Sequence, residues 1–201
     1  MQLRYKSRNH GDTIVEVLFA ISVFSLVVVG SLSIMNQGTA AAQRALEITL
    51  VRQEIDAQAE TLRFLNASYI DLPTSTQGQQ WRAIRDNILA GKTEVTAFDA
   101  GEDCPASPPS DSFILNTRSA RFVSIAGKYG QAQTFSQVLY DAGSQVSSAD
   151  GLWIEAVRVS VTGNNQDNAG YIDFHIRACW DSPGQSVPVT LGTIVRLYEP
   201  L

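Results

Sequence analysis

Residues 11–35 read GDTIVEVLFAISVFSLVVVGSLSIM. Between Ile14 and Met35 the only charge is Glu16, and from Val17 to Gln43 there is none. At ~1.5 Å rise per residue, about 20 such residues match the hydrocarbon thickness of a bilayer. Val15, Val17, Leu18, Phe19, Ile21, Val23, Phe24, Leu26 and Val27–Val29 fall on every side of a helix and leave no polar stripe. A helix that is apolar all round belongs in lipid or deep inside a large protein, and a chain of 201 residues is not large. A membrane helix is therefore predicted over residues 12–36. The preceding segment, Met1–Gly11, carries Arg4, Lys6 and Arg8 and no acid. Such a cluster stays cytoplasmic, so the chain is expected to run N-in, C-out with an extracytoplasmic remainder. A secretory signal is the rival reading. It needs a small-residue cleavage site after the apolar run, and Ser31 and Ser33 offer only a weak one.

Composition narrows the classes further. Apolar residues make up 44% of the chain and charged residues 17%, below the roughly 25% charged of ordinary soluble domains. Lys and Arg number 15 against 20 Asp and Glu, a net charge of −5. This balance excludes nucleic-acid binding by bulk positive charge. It is also not the composition of a disordered chain. Two histidines, His10 and His175, and two cysteines, Cys104 and Cys179, are a poor inventory for a four-ligand structural zinc site. No cofactor is expected.

Glu16 is the anomaly in the apolar span. A carboxylate there is costly unless it is paired or sits at the interface. The structural alternative is that it snorkels to the headgroups. The string Gly11-Asp12-Thr13-Ile14-Val15-Glu16-Val17-Leu18, behind a short basic leader and ahead of about 20 apolar residues, resembles the prepilin cleavage and methylation motif of type IV pilins and type II secretion pseudopilins. The resemblance covers residues 1 to about 40. It implies cleavage by prepilin peptidase after Gly11, N-methylation of the new terminus at Asp12, and an assembly role for Glu16, the fifth residue of the mature chain. In that family the glutamate meets the N-terminal amine of a neighbouring subunit, so two charges that are each costly in an apolar core neutralise one another. The departure is Asp12, where the family usually has Phe or another apolar residue. The mature length of 190 residues and this departure favour a minor pilin-like subunit over an abundant one.

The pattern continues past the span. Ile48, Val51, Ile55, Ala59, Leu62, Leu65 and Tyr69 recur at spacings of three and four, with Arg44, Glu47, Arg52, Glu54, Asp56, Glu60 and Arg63 on other faces. That is an amphipathic helix over residues 37–72. No proline interrupts Asp12–Leu72, so one helix roughly 85 Å long is expected, ending before Pro73. Residues 73–201 are then the globular head. Pro73–Gly78 reads as a linker and Gln80–Ala90 as a short helix stopped at Gly91. Phe98–Asp111 reads as a Pro-rich loop, and Phe113–Leu115 with Arg121–Ile125 as a hairpin. Ser136–Gly151 is polar and reads as irregular. Leu152–Thr162, Tyr171–Trp180 and Val189–Tyr198, the last interrupted by Gly192, read as an antiparallel meander. In the first of these Trp153, Val157, Val159 and Val161 share a face; in the second Ile172, Phe174, Ile176, Ala178 and Trp180 do. The apolar face of the sheet is expected to pack on the amphipathic half of the helix. The expected fold class is α+β, a long N-terminal helix packed against a C-terminal antiparallel sheet.

Cys104 and Cys179 both fall on the expected extracytoplasmic side, where two cysteines favour a disulfide; two free thiols are the alternative. A disulfide near the C-terminus is also common in the resembled family. Gly163–Asn168 is rich in oxygen ligands, but only Asp167 is charged, and a plain turn is preferred to a calcium loop. Asp173, His175 and Arg177 share one strand face, and a solvated face is preferred to a catalytic group because no nucleophile motif accompanies them. Trp81, Trp153 and Trp180 read as core or subunit-contact residues. No enzymatic activity is expected. Removing Arg4, Lys6 and Arg8 with the leader takes the net charge to −8, so direct nucleic-acid binding is not expected. The expected partners are other pilin subunits through the N-terminal helix, prepilin peptidase, and the pilus or type II secretion machinery. The expected location is the inner membrane before assembly and a surface or periplasmic filament after it. The alternatives are a type II secretion pseudopilin and, from another class, a single-pass protein with an extracytoplasmic ligand-binding or enzymatic domain.

Overall fold

A computed structural model describes residues 13–88, 95, 103–159 and 170–198. The cleavage pair Gly11 and Asp12 and the Asn-rich Gly163–Asn168 segment lie outside the described residues. The fold is α+β: one long N-terminal helix followed by an antiparallel five-stranded sheet. The helix, α1 (Ile14–Asp71), runs unbroken for 58 residues. It stops two residues before Pro73, as a proline cannot accept the α conformation behind it. The chain divides into two units, Met1–Gln43 and Arg44–Leu201.

In the second unit, α1 buries Val51, Ile55, Gln58, Ala59, Leu62 and Leu65, with Ile48 and Tyr69 half-buried at the ends of the stripe. The next helix, α2 (Thr76–Ile88), starts earlier than the sequence pattern suggests. Ser75 caps it: its hydroxyl accepts the Gly78 N–H at 2.9 Å, so the linker is cut short inside the polar stretch. Trp81, Ile84 and Ile88 are its buried face.

The five-stranded sheet has the order β2-β1-β6-β7-β8, with β1 (Phe113–Asn116), β2 (Arg121–Ser124), β6 (Leu152–Val159), β7 (Tyr171–Trp180) and β8 (Val189–Tyr198). All neighbours are antiparallel. The hairpin and the three-strand meander fall where the sequence places them. Gly192 does not interrupt β8; it pairs in register with Arg177. One face carries Leu152, Ile154, Ala156, Ile172, Phe174, Ile176, Ala178 and Trp180, all buried. Phe174 meets Trp81 of α2 at 5.7 Å between ring centroids and Phe113 edge-on at 6.3 Å, so this is the face turned to the helices.

The β6 face and the Ser136–Gly151 segment also differ from expectation. The face of β6 holding Trp153 and Val157 is the opposite one: Trp153 pairs with Arg177, and Leu152, Ile154 and Ala156 form the core side. Trp153 is nevertheless buried because a second sheet lies on it, with Tyr129 edge-on at 6.2 Å. That sheet is the second correction. Ser136–Gly151 is not irregular but supplies β4 (Gln137–Tyr140) and β5 (Val146–Asp150), joined to the short β3 (Tyr129–Gly130) in the order β3-β5-β4. A tight turn sustains the hairpin: the Asp141 carboxylate accepts the Gln145 N–H at 2.8 Å, and Ser144 adopts φ 58°. Burial of Val138, Val146 and Ala149 then holds a polar segment as strands.

Candidate functional site

The sequence places the chemistry of the chain at two sites, the start of α1 and the cysteine pair. Thr13 opens the helix: its carbonyl accepts the N–H groups of Glu16 at 2.9 Å and Val17 at 3.2 Å. Glu16 thus stands in the first turn, where the helix dipole favours a carboxylate, and the Thr-x-x-Glu spacing is that of a capping box. Its side chain is exposed. Beyond it the helix is apolar and uncovered. Its most apolar 18-residue window has mean hydropathy 2.5 and no buried residue. Phe19, Phe24, Leu26 and Val29 are each more than half exposed. The hydroxyls of Ser22, Ser25 and Ser31 each donate to the carbonyl four residues back at 2.8 Å, so these three polar groups are satisfied within the helix. By length and composition this segment is suited to cross a membrane.

Cys104 and Cys179 form a disulfide with a Cα–Cα distance of 5.6 Å. It encloses a chain separation of 75 residues, worth about 4 kcal/mol in the chain-entropy model. Cys179 lies on the face of β7 away from the helices, as the alternation requires, yet it is fully buried. The 103–109 loop and the small sheet cover that end. Tyr129 donates its hydroxyl to the Pro105 carbonyl at 3.0 Å, and Gln131 donates to the Cys104 carbonyl at 3.1 Å. Burial pushes the Tyr129 phenol up to about 12. Ser136 shares its hydroxyl proton between the carbonyls of Gly151 and Cys179, both at 3.0 Å. Gly151 has φ 61°, and a Cβ there would stand 2.2 Å from the Cys179 carbonyl oxygen, so only glycine fits.

Asp173 and Arg177, which share a strand face with His175, are engaged by different partners. Asp173 is taken by Arg196 of β8 in a two-pronged pair at 2.7 and 2.8 Å. The hydrogen bond from Arg196 holds the Asp173 carboxyl below its ordinary range. Burial, and then the Arg177 charge, lower the His175 imidazole. Arg177 stands 3.8 Å from Glu155, a fully buried carboxylate that also accepts Trp153 Nε1–H at 3.0 Å. These contacts join β6, β7 and β8 to one another. Among the described residues, no cluster of three or more His, Cys, Asp or Glu could hold a metal.

Two polar residues of α1 matter more than their surroundings in sequence suggest. Gln58 sits within the apolar stripe and mimics a strand neighbour, donating to the Leu115 carbonyl and accepting the Leu115 N–H, each at 3.0 Å. Its position between Ile55 and Leu62 was the available signal. Glu47 accepts from Trp180 and Ser182, and nothing in its local sequence distinguishes it from the solvated acids of the same helix.

No family model matches this chain, and no curated protein or solved structure matches it.

Proposed function

We propose that this chain is a structural subunit of a type IV pilus-like filament, of the minor or pseudopilin kind. The single observation that carries the proposal is a carboxylate, Glu16, five residues past Gly11 and in the first turn of an uncovered apolar helix that continues into an α+β head. A simple anchor needs the apolar run but has no use for the glycine and glutamate at that spacing. The disulfide supports an oxidising, extracytoplasmic setting for the head.

In this reading the basic leader stays in the cytoplasm and prepilin peptidase cuts after Gly11. Asp12 then carries a new ammonium. The exposed faces of residues 14–35 exchange lipid for the same faces of neighbouring subunits. Each Glu16 pairs with a neighbour's amine, since two isolated charges in an apolar core are far costlier than a pair. Glu16 thereby sets the register of polymerisation. A type II secretion pseudopilin uses the same steps, and the two systems part only in the machinery that receives the subunit.

The test is the N-terminal peptide of the protein from its native host, by mass spectrometry. A chain beginning at Asp12 is expected, and Gly11→Glu should abolish that product. A chain still beginning at Met1 in cells with active prepilin peptidase overturns the proposal. A paired variant separates the two roles open to Glu16. Glu16→Gln keeps a capping-box side chain but loses the charge, so it should be processed normally yet enter filaments at least tenfold less. Normal incorporation of Glu16→Gln would reduce Glu16 to a helix cap.

A further inference from the structure

The fully buried part of the α1 stripe begins at Val51. Glu47, one turn earlier, is held by a different means. Its Oε2 accepts hydrogen bonds from Trp180 Nε1 at 3.1 Å and from Ser182 Oγ at 2.6 Å, groups 133 and 135 residues further along the chain. Both donors are buried. They are also immobilised from the other side: Trp180 pairs with Ala132, and its neighbour Cys179 is bonded to Cys104 and hydrogen-bonded to Ser136.

Around this contact the helix is not sealed. A cleft of about 310 Å³ lies between Leu50, Gln53 and Glu54 on α1 and residues 135–138 of the head. Ile48 is only half-buried, and Leu46 and Thr49 are exposed. Residues 44–50 are therefore attached through the Glu47 carboxylate and by two partly covered aliphatics, Ile48 and Leu50, whereas residues 51–66 are attached by a continuous core. Hydrogen bonds to a charged acceptor are roughly twice as strong as neutral ones. Glu47 is thus the strongest tie in a stretch with few others.

We propose that Glu47 is a clamp that fixes residues 44–50 of α1 to the disulfide-locked end of β7, and that these two turns form a joint that swings free of the head when the clamp is lost. The proposal is independent of the filament reading. Within that reading, it marks where a subunit can loosen without unfolding, and its failure would leave the N-terminal processing result untouched.

The test uses the full chain in detergent micelles, with spin labels at Leu46→Cys and Ile194→Cys; both positions are exposed, and the native cysteines are bonded to each other and take no label. The distance distribution by pulsed electron resonance is expected to be narrow in the parent and at least twofold wider with Glu47→Ala. Glu47→Gln keeps an acceptor and Ser182→Ala removes one donor, and both should fall between. A control pair at Leu139 and Ile194, within the head, should not widen. A Glu47→Ala distribution as narrow as the parent overturns the clamp, as does equal widening of the control pair. If Glu47→Ala does not fold, an unwidened Ser182→Ala distribution overturns it.

Discussion

The two portions of α1 share one backbone and are apolar for opposite reasons. Residues 14–43 carry aliphatics on every face and none is buried by the chain itself. Residues 44–71 carry a single stripe, and the head buries it. A helix whose apolar surface is matched by its own chain gains stability from folding. One whose surface is unmatched gains it only from an environment, lipid or other helices. The first portion is therefore specified by its surroundings and the second by the head, and substitutions in the two should behave differently.

Leucine deletions test this most strongly. Leu62 is fully buried and Leu26 is 74% exposed. Leu62→Ala should destabilise the head by about 2–5 kcal/mol. Leu26→Ala should leave the unfolding midpoint of the head where it was. Tryptophan fluorescence in urea reads the head alone, because Trp81, Trp153 and Trp180 all belong to it. A comparable loss from both variants would break the comparison.

Polar residues sharpen it at a smaller scale. Gln58→Leu strands a buried backbone N–H and carbonyl at Leu115, at a cost of about 1–3 kcal/mol. Gln43→Leu, on the exposed portion, should cost the head nothing by the same fluorescence assay. If Gln58→Leu proves neutral, water or a shifted β1 can replace the glutamine, and Gln58 then adds nothing to the head's hold on residues 51–66.

The smallest expected effects are those of pH, and they should be confined to the head. Arg196 depresses the Asp173 carboxyl, so this pair contributes fully above the unfolded value of about 3.9 and is lost as pH falls through the folded value. His175 is also depressed, chiefly by burial, so the unfolded imidazole takes up its proton first and stability declines as pH drops below about 6.5. The Asp173–Arg196 pair and His175 are all partly solvated, and the changes should be slight. Urea midpoints between pH 3 and 8 should flatten near pH 4 in Asp173→Asn and near pH 6 in His175→Asn; unchanged slopes in both would remove these groups from the acid response.

Much of the fold is legible in the chain because its signals are local. The absence of proline from Asp12 to Leu72 and the change from all-round to one-sided hydrophobicity mark α1. The alternation in Tyr171–Trp180 marks β7. The segments that escape reading are those whose burial comes from distant parts of the chain. Ser136–Gly151 is too polar to read as strands until Val138, Val146 and Ala149 find cover. The apolar face that Trp153 shares with Val157 is legible in β6, but that it packs under the small sheet and not on the helices is not, because the small sheet gives this side a core of its own. At the candidate site, Glu16 and the two cysteines stand out by type and position, whereas Glu47 looks like any acid on an amphipathic helix.

By itself, then, the sequence determined a long helix of two characters, an antiparallel sheet behind it, and a carboxylate at the start of an apolar span. Those follow from periodicity and from the cost of charge in apolar surroundings, which neighbours along the chain reveal. Only the tertiary structure decided which face of β6 is the core, that Cys179 is buried beneath the Cys104 loop, and that Glu47 is tied to Trp180 and Ser182. Each of these depends on what covers a residue from far away in sequence, and no local pattern carries that information.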